Sequence, residues 1–183
     1  PEALAVALVA RYHARRQRGT TDLGPLEAAM ALPLGRRSSV RAATVATFTS
    51  ALAERGRLRE AAALTEDWLT DQPAASLHAR HVLEANLGGL LLRLDRVDEW
   101  DRRLKGAGDL AARAGDLDRW AIYAAIRARG RLAVGDGSAA EGVAELQPMA
   151  QTAGLGARAI VRLRLALGLC ALRAGQPELA SVR

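Results

Sequence analysis

Cysteine, lysine and aromatic side chains are nearly missing from this chain of 183 residues. The single cysteine, Cys170, excludes an internal disulfide and suits a reducing cytoplasm. Of the 26 basic residues only Lys105 is a lysine; the others are arginines spread over nearly every predicted helix. A nucleic-acid footprint gathers its cations on one face. The even spread, with a net charge of +6, therefore reads as the codon bias of a GC-rich bacterial genome. The aromatics are Trp68, Trp100, Trp120, Tyr12, Tyr123 and Phe48. A core must then come from Ala and Leu, a composition that favours helix over strand. No apolar run approaches the roughly 20 residues that cross a bilayer. The apolar start lacks the preceding basic segment of a signal peptide. A GxxxxGK phosphate loop and the GxSxG elbow of hydrolases are also missing, so no ATP site, no cofactor and no enzyme are expected.

What is present is a rhythm. Helical patterns run over Pro1–Arg18, Pro25–Leu32, Ser38–Arg55, Leu58–Thr70, Ala75–Leu94, Val97–Ala114, Leu117–Val134, Ala139–Thr152 and Ala157–Ala174. A tenth begins at Pro177 and stops at Arg183 inside its helix, and Pro73 closes the fourth. Helix stops at Gly56, Asp95, Gly135 and Gly175 lie 39, 40 and 40 residues apart, with a weaker one at Gly19. Such spacing is the mark of stacked helix pairs. Ser138 and Glu141 form a capping-box pattern, and Pro148 should kink or shorten its helix. Gly106-Ala-Gly108 and Gly154-Leu-Gly156 read as helix breaks. Ala157–Ala174 is apolar nearly all round and so should be packed on more than one side; Leu58–Thr70 is one-sided and should face solvent. The fold predicted is all-α, one domain over residues 1–183, a right-handed solenoid of antiparallel helix pairs with a period near 40. Its abrupt apolar start suggests a piece of a longer polypeptide.

The phrases resemble tetratricopeptide repeats. The last unit has Leu167-Gly168, a turn glycine at Gly175 and Ala180; the third has Leu87-Gly88, Leu91 and Asp95; the second has Gly56, Ala61 and Pro73. Gly or Ala at these places lets helices approach closely. The fourth unit keeps Gly135 and Ala140 but carries Arg127-Ala128 in place of Leu-Gly, and Trp100 stands where a small residue is expected. From Ser38 onward the chain also resembles the helical-repeat region of large ATP-dependent LuxR-type (MalT-like) regulators, common in actinobacteria. That resemblance implies a non-catalytic sensor or interaction segment, taking an inducer or a protein partner, with DNA contacted only by a separate domain. The alternative is a general peptide-docking scaffold with no transcriptional role. Direct nucleic-acid binding through arginine is a further rival.

In a repeat frame the inner face is lined by Ala46, Ser50 and Glu54; Val82, Ala85, Gly89, Leu92 and Arg93; Ile122, Ala125, Arg129 and Leu132; and Arg162, Leu165, Leu169, Leu172 and Arg173. Arg93, Arg129, Arg162 and Arg173 would hold an anionic group, while Leu165, Leu169 and their neighbours hold an apolar part. The other reading is a groove narrowed by its own side chains or covered by flanking sequence. His78, His81 and Glu84 share a helix face, but a zinc site wants a further firm ligand, so a solvated or hydrogen-bonded face is expected and no metal. His13 reads as structural, Cys170 as a buried inert thiol, and the three tryptophans as core.

Overall fold

The computed structural model describes residues 1–20, 22–35, 38–72, 75–135, 138–176 and 178. Among them are nine α-helices and no strand: α1 (Glu2–Gln17), α2 (Gly24–Met30), α3 (Ser39–Glu54), α4 (Leu58–Asp71), α5 (Leu77–Arg93), α6 (Val97–Arg113), α7 (Leu117–Val134), α8 (Ala139–Ala150) and α9 (Ala157–Arg173). Every predicted boundary of these nine falls within two residues of the observed one. Pro73, Pro177, Ala180 and the tenth helix lie outside the described residues.

Local chemistry sets the helix starts. Ser38, Ser76, Asp116 and Ser138 each accept a hydrogen bond from the backbone N–H three residues on, at 3.3, 3.2, 3.0 and 3.4 Å. Each relieves one of the donors that a helix N-terminus leaves without a partner. At Ser138 only half of the expected capping box forms, because the Glu141 carboxylate turns to Arg131 at 3.4 Å. The stops behave as their spacing implies. Gly56, Gly135 and Gly175 take φ values of 76°, 73° and 71°, and Asp95 stands at the same structural position with φ 61°. A side chain there is strained, and Asp tolerates the left-handed region better than most residues.

Residues 1–100 and 101–183 form two compact units, with α6 running across the boundary. In the first, α1 packs on α2 and α3, and α2 on α3. Likewise α3 packs on α4 and α5, and α4 on α5. Each first helix thus touches its own partner and the next first helix, while each second helix fills the notch between two first helices. The second unit repeats the rule: α7 packs on α8 and α9, and α8 on α9. Small residues permit these approaches. Ala42, Ala51, Ala61 and Ala62 are buried in the first unit, and Ala121, Ala125, Ala166 and Ala171 in the second. Leucines such as Leu52, Leu146 and Leu163 fill the space between, fully enclosed. Removing one of these to Ala leaves a cavity worth about 2–5 kcal/mol.

One expectation needs correction, and two further features need explanation. Gly106 and Gly108 do not break a helix; both lie inside α6, whose buried stripe of Trp100, Leu104, Ala107 and Ala111 outweighs two poor helix formers. The α9 helix packs on both α7 and α8, as its apolar surface implies, yet one stripe of it stays open. Val161, Leu165, Leu169 and Leu172 are 65, 51, 40 and 60 % exposed, because α7 and α8 occupy only the face carrying Leu163, Leu167 and Ala171. The departure at Arg127 also has a structural reason. Its guanidinium, largely buried, donates to Asp101 of α6 at 2.8 Å and to Glu145 of α8 at 2.7 Å. Where the repeat pattern expects Leu to bridge by apolar contact, this unit bridges its neighbours by charge-assisted hydrogen bonds. Pro148 does shorten its helix, which ends two residues later.

The α8 and α9 helices approach closely at Gly142, where an added Cβ would stand 2.6 Å from Cys170 Sγ. We expect Gly142→Ala to lower unfolding stability by about 1–3 kcal/mol through overpacking. Gly106→Ala, with nothing within 4 Å of its Cβ position, should raise stability by about 0.5–1 kcal/mol. Urea melts of the two variants check both signs.

Candidate binding groove

The first helices α3 and α5 lie side by side, and their facing residues towards the C-terminal ends are small. Ser50 on α3 opposes Ala85 and Gly89 on α5, and the gap opens into a cavity of about 330 Å³. Glu54, Asn86 and Arg93 supply its polar lining. Sequence reasoning had named Ser50, Glu54, Ala85, Gly89 and Arg93 for one surface, and the structure brings these five together. It missed Asn86, which falls between the positions of the repeat frame. Only its neighbours' small size pointed to an opening there.

The charges in this cavity are unequally committed. Glu54 is held by Arg16 of α1 at 2.6 Å. Arg93 reaches from α5 back to α3, where its terminal nitrogen donates to the carbonyl of Ala53 at 3.0 Å. That carbonyl is among the last four of α3, which lack partners within the helix. One donor of the guanidinium fork is used, and the others make no hydrogen bond to any described residue. Thr49 and Ser50 turn their hydroxyls back to the carbonyl of Ala46. Asn86 makes no hydrogen bond to any described residue, so its carboxamide offers both a donor and an acceptor. A second cavity of about 430 Å³ lies nearer the N-terminal ends of α3 and α5, and Val82 is the predicted groove residue that lines it.

In the second unit the named residues lie on two helices. Arg129 on α7 is exposed; on α9 Arg162 is half-buried and Leu165, Leu169 and Arg173 are exposed. The leucines belong to the open apolar stripe described above, with Arg162 and Arg173 beside it. Arg129, Arg162 and Arg173 form no ion pair with any described residue.

The histidine face differs from expectation in its burial. His78 is exposed, but His81 is fully enclosed and Glu84 nearly so. The two imidazoles meet edge to face, Nε2 of His81 standing 3.2 Å from Nδ1 of His78. A reading of helical spacing alone does not reveal that one ring turns inward. His13 is exposed against the Tyr12 ring at 5.5 Å. Trp68 and Trp100 are core, while Trp120 is only half-buried.

Comparison with known proteins bears on the fold. No family model matches the chain, and no curated protein matches it in sequence. Among solved structures it is similar to a Podosopora anserina protein described as a kinesin light chain with nearly identical TPR-like repeats. The TM-score is 0.73 at 20% identity, covering 96% of this chain and 88% of that one. The Q17M form of the same protein matches equally, at 0.73 and 20% over 96% and 87%. The chain therefore has the fold of TPR-like helical repeats. Among the described residues no helix is long and apolar enough to cross a membrane.

Cys170 lies wholly inside α9's packed face, and burial pushes its thiol pKa upward, helped by the charge of Glu145. Because the raised value disfavours thiolate, the native protein should react with a thiol-specific disulfide reagent at pH 8 at least about tenfold more slowly than the urea-unfolded chain. Equal rates would contradict this burial.

Proposed function

We propose that this chain is a non-catalytic interaction module whose α3–α5 groove holds an extended acidic peptide segment. The observation that carries the reading is the pairing, in one cavity, of an uncommitted carboxamide at Asn86 with the partly committed guanidinium of Arg93. A carboxamide matches the donor and acceptor of a peptide group, and a guanidinium fork matches a carboxylate. The TPR-like fold supports the same reading, since stacked repeats offer long inner surfaces. On α7 and α9, Arg129, Arg162 and Arg173 with Leu165 and Leu169 would serve in the same manner, the cations for an anionic group and the leucines for an apolar one.

The narrower reading is that the chain, as one domain over residues 1–183, is the sensor or partner-docking part of a LuxR-type regulator in the cytoplasm. DNA would then be contacted through a separate domain. What supports it is the resemblance of the repeat phrases from Ser38 onward. The general peptide-docking scaffold rests on the groove alone, and a nucleotide-binding module and a helix-turn-helix in the same polypeptide would distinguish the two.

Selection of binders from a random nonapeptide library tests the groove. We expect enrichment of peptides carrying Asp or Glu, and a loss of affinity of at least about tenfold in Arg93→Ala, whose bond to a carboxylate contributes about 1.5–3 kcal/mol. A loss of about two- to tenfold is expected in Asn86→Ala, whose bonds to a peptide group are neutral and contribute about 0.5–1.5 kcal/mol. Binders without acidic preference, or affinities unchanged in both variants, would contradict it.

A further inference from the structure

The cavity of about 430 Å³ at the N-terminal ends of α3 and α5 is chemically unlike the groove beside it. Its walls are Val9 of α1, Val40 and Ala43 of α3, and Ala79 and Val82 of α5. Most of the side chains that the three neighbouring helices present there are Val and Ala, too short to meet across the space. Val6, 54 % exposed, stands at its mouth. None of its lining residues is Asp, Glu, Lys or Arg.

The polar groups are few and gathered where α3 and α5 begin. Ser39 and Ser76 line the cavity there, with His78 two residues beyond Ser76. The Ser76 oxygen already accepts from the N–H of Ala79 at 3.2 Å, which leaves its hydroxyl proton to be donated. Ser39 has no hydrogen bond through its side chain to any described residue. Thr44, also in the wall, spends its hydroxyl on the carbonyl of Val40 at 2.8 Å. The site thus combines an apolar body with two hydroxyl donors at one end.

That combination selects its occupant. The space is open to solvent at Ser39, Ala43, Ser76 and His78, and water against its Val and Ala wall finds few polar partners. A peptide would bring an N–H and a C=O with every residue, and walls of Val and Ala leave them unpaired at a cost of some kcal/mol each. No Asp, Glu, Lys or Arg lines it to pair with an ion. A volume within the 300–1,000 Å³ typical of small-molecule sites remains, with apolar walls and convergent donors. We propose that this cavity binds a compact, uncharged, mainly apolar small molecule bearing one oxygen acceptor, such as a ketone, an ester or a lactone. The proposal is independent of the peptide reading, because Asn86 and Arg93 do not line this cavity.

Titration of the whole chain with the uncharged ketone dye 6-propionyl-2-(dimethylamino)naphthalene, followed by fluorescence, tests it. Saturable one-to-one binding is expected, with a Kd on the order of 10 μM for a ligand of that size. Ala43→Phe and Val82→Phe, which fill the cavity from opposite helices, should each weaken binding at least about tenfold while far-UV circular dichroism stays unchanged. Arg93→Ala should leave dye binding as it was. If one filled variant fails to fold, the other decides. Binding that does not saturate, or that survives in the folded filled variants, overturns the proposal.

Discussion

Helix pairs of this composition cannot bury their own apolar surface, and that constraint shapes the molecule. With six aromatics in 183 residues, no single hairpin carries enough bulk for an independent core. The chain instead shares its cores between neighbours: α3 is covered by α4 and by α5, and α8 is set between α7 and α9. Alanine at the contacts brings the helices close, and a fully enclosed leucine or tryptophan fills each gap. Where the shared surface is not taken up, as along Val161, Leu165, Leu169 and Leu172, the apolar side of a first helix stays open.

Much of this could be read from spacing. The stops at Gly56, Asp95, Gly135 and Gly175 were legible because a left-handed residue leaves a strong local mark, and even Asp95 keeps the conformation of the glycines it replaces. The helix pairing followed from the same period. Features that depend on three-dimensional neighbours were not legible. Two glycines inside α6 looked like a break because local propensity carries no information about the stripe that ends at Ala111. Arg127 looked like a lost motif residue, and only its carboxylate partners on α6 and α8 show that it takes over the bridging role.

The groove was legible in the same partial way. A periodic frame assigns small residues to an inner face, so Ser50, Ala85 and Gly89 could be placed together. It does not say how much room they leave or that Asn86 turns into that room. Nor does it separate a polar stretch from an apolar one along the same helices. Here the difference is one of side chains: Glu54, Asn86 and Arg93 line one cavity, and valines and alanines line the other. Both cavities depend on first helices held side by side by their neighbours.

The most direct test of that dependence is the behaviour of one hairpin by itself. A polypeptide of residues 38–72, carrying α3 and α4 without α1, α2 or α5, should show little helix by far-UV circular dichroism and no cooperative thermal transition, since helices of this length are marginal alone. The whole chain should be strongly helical and melt cooperatively under the same conditions. A hairpin that folds and melts cooperatively in isolation would contradict the account.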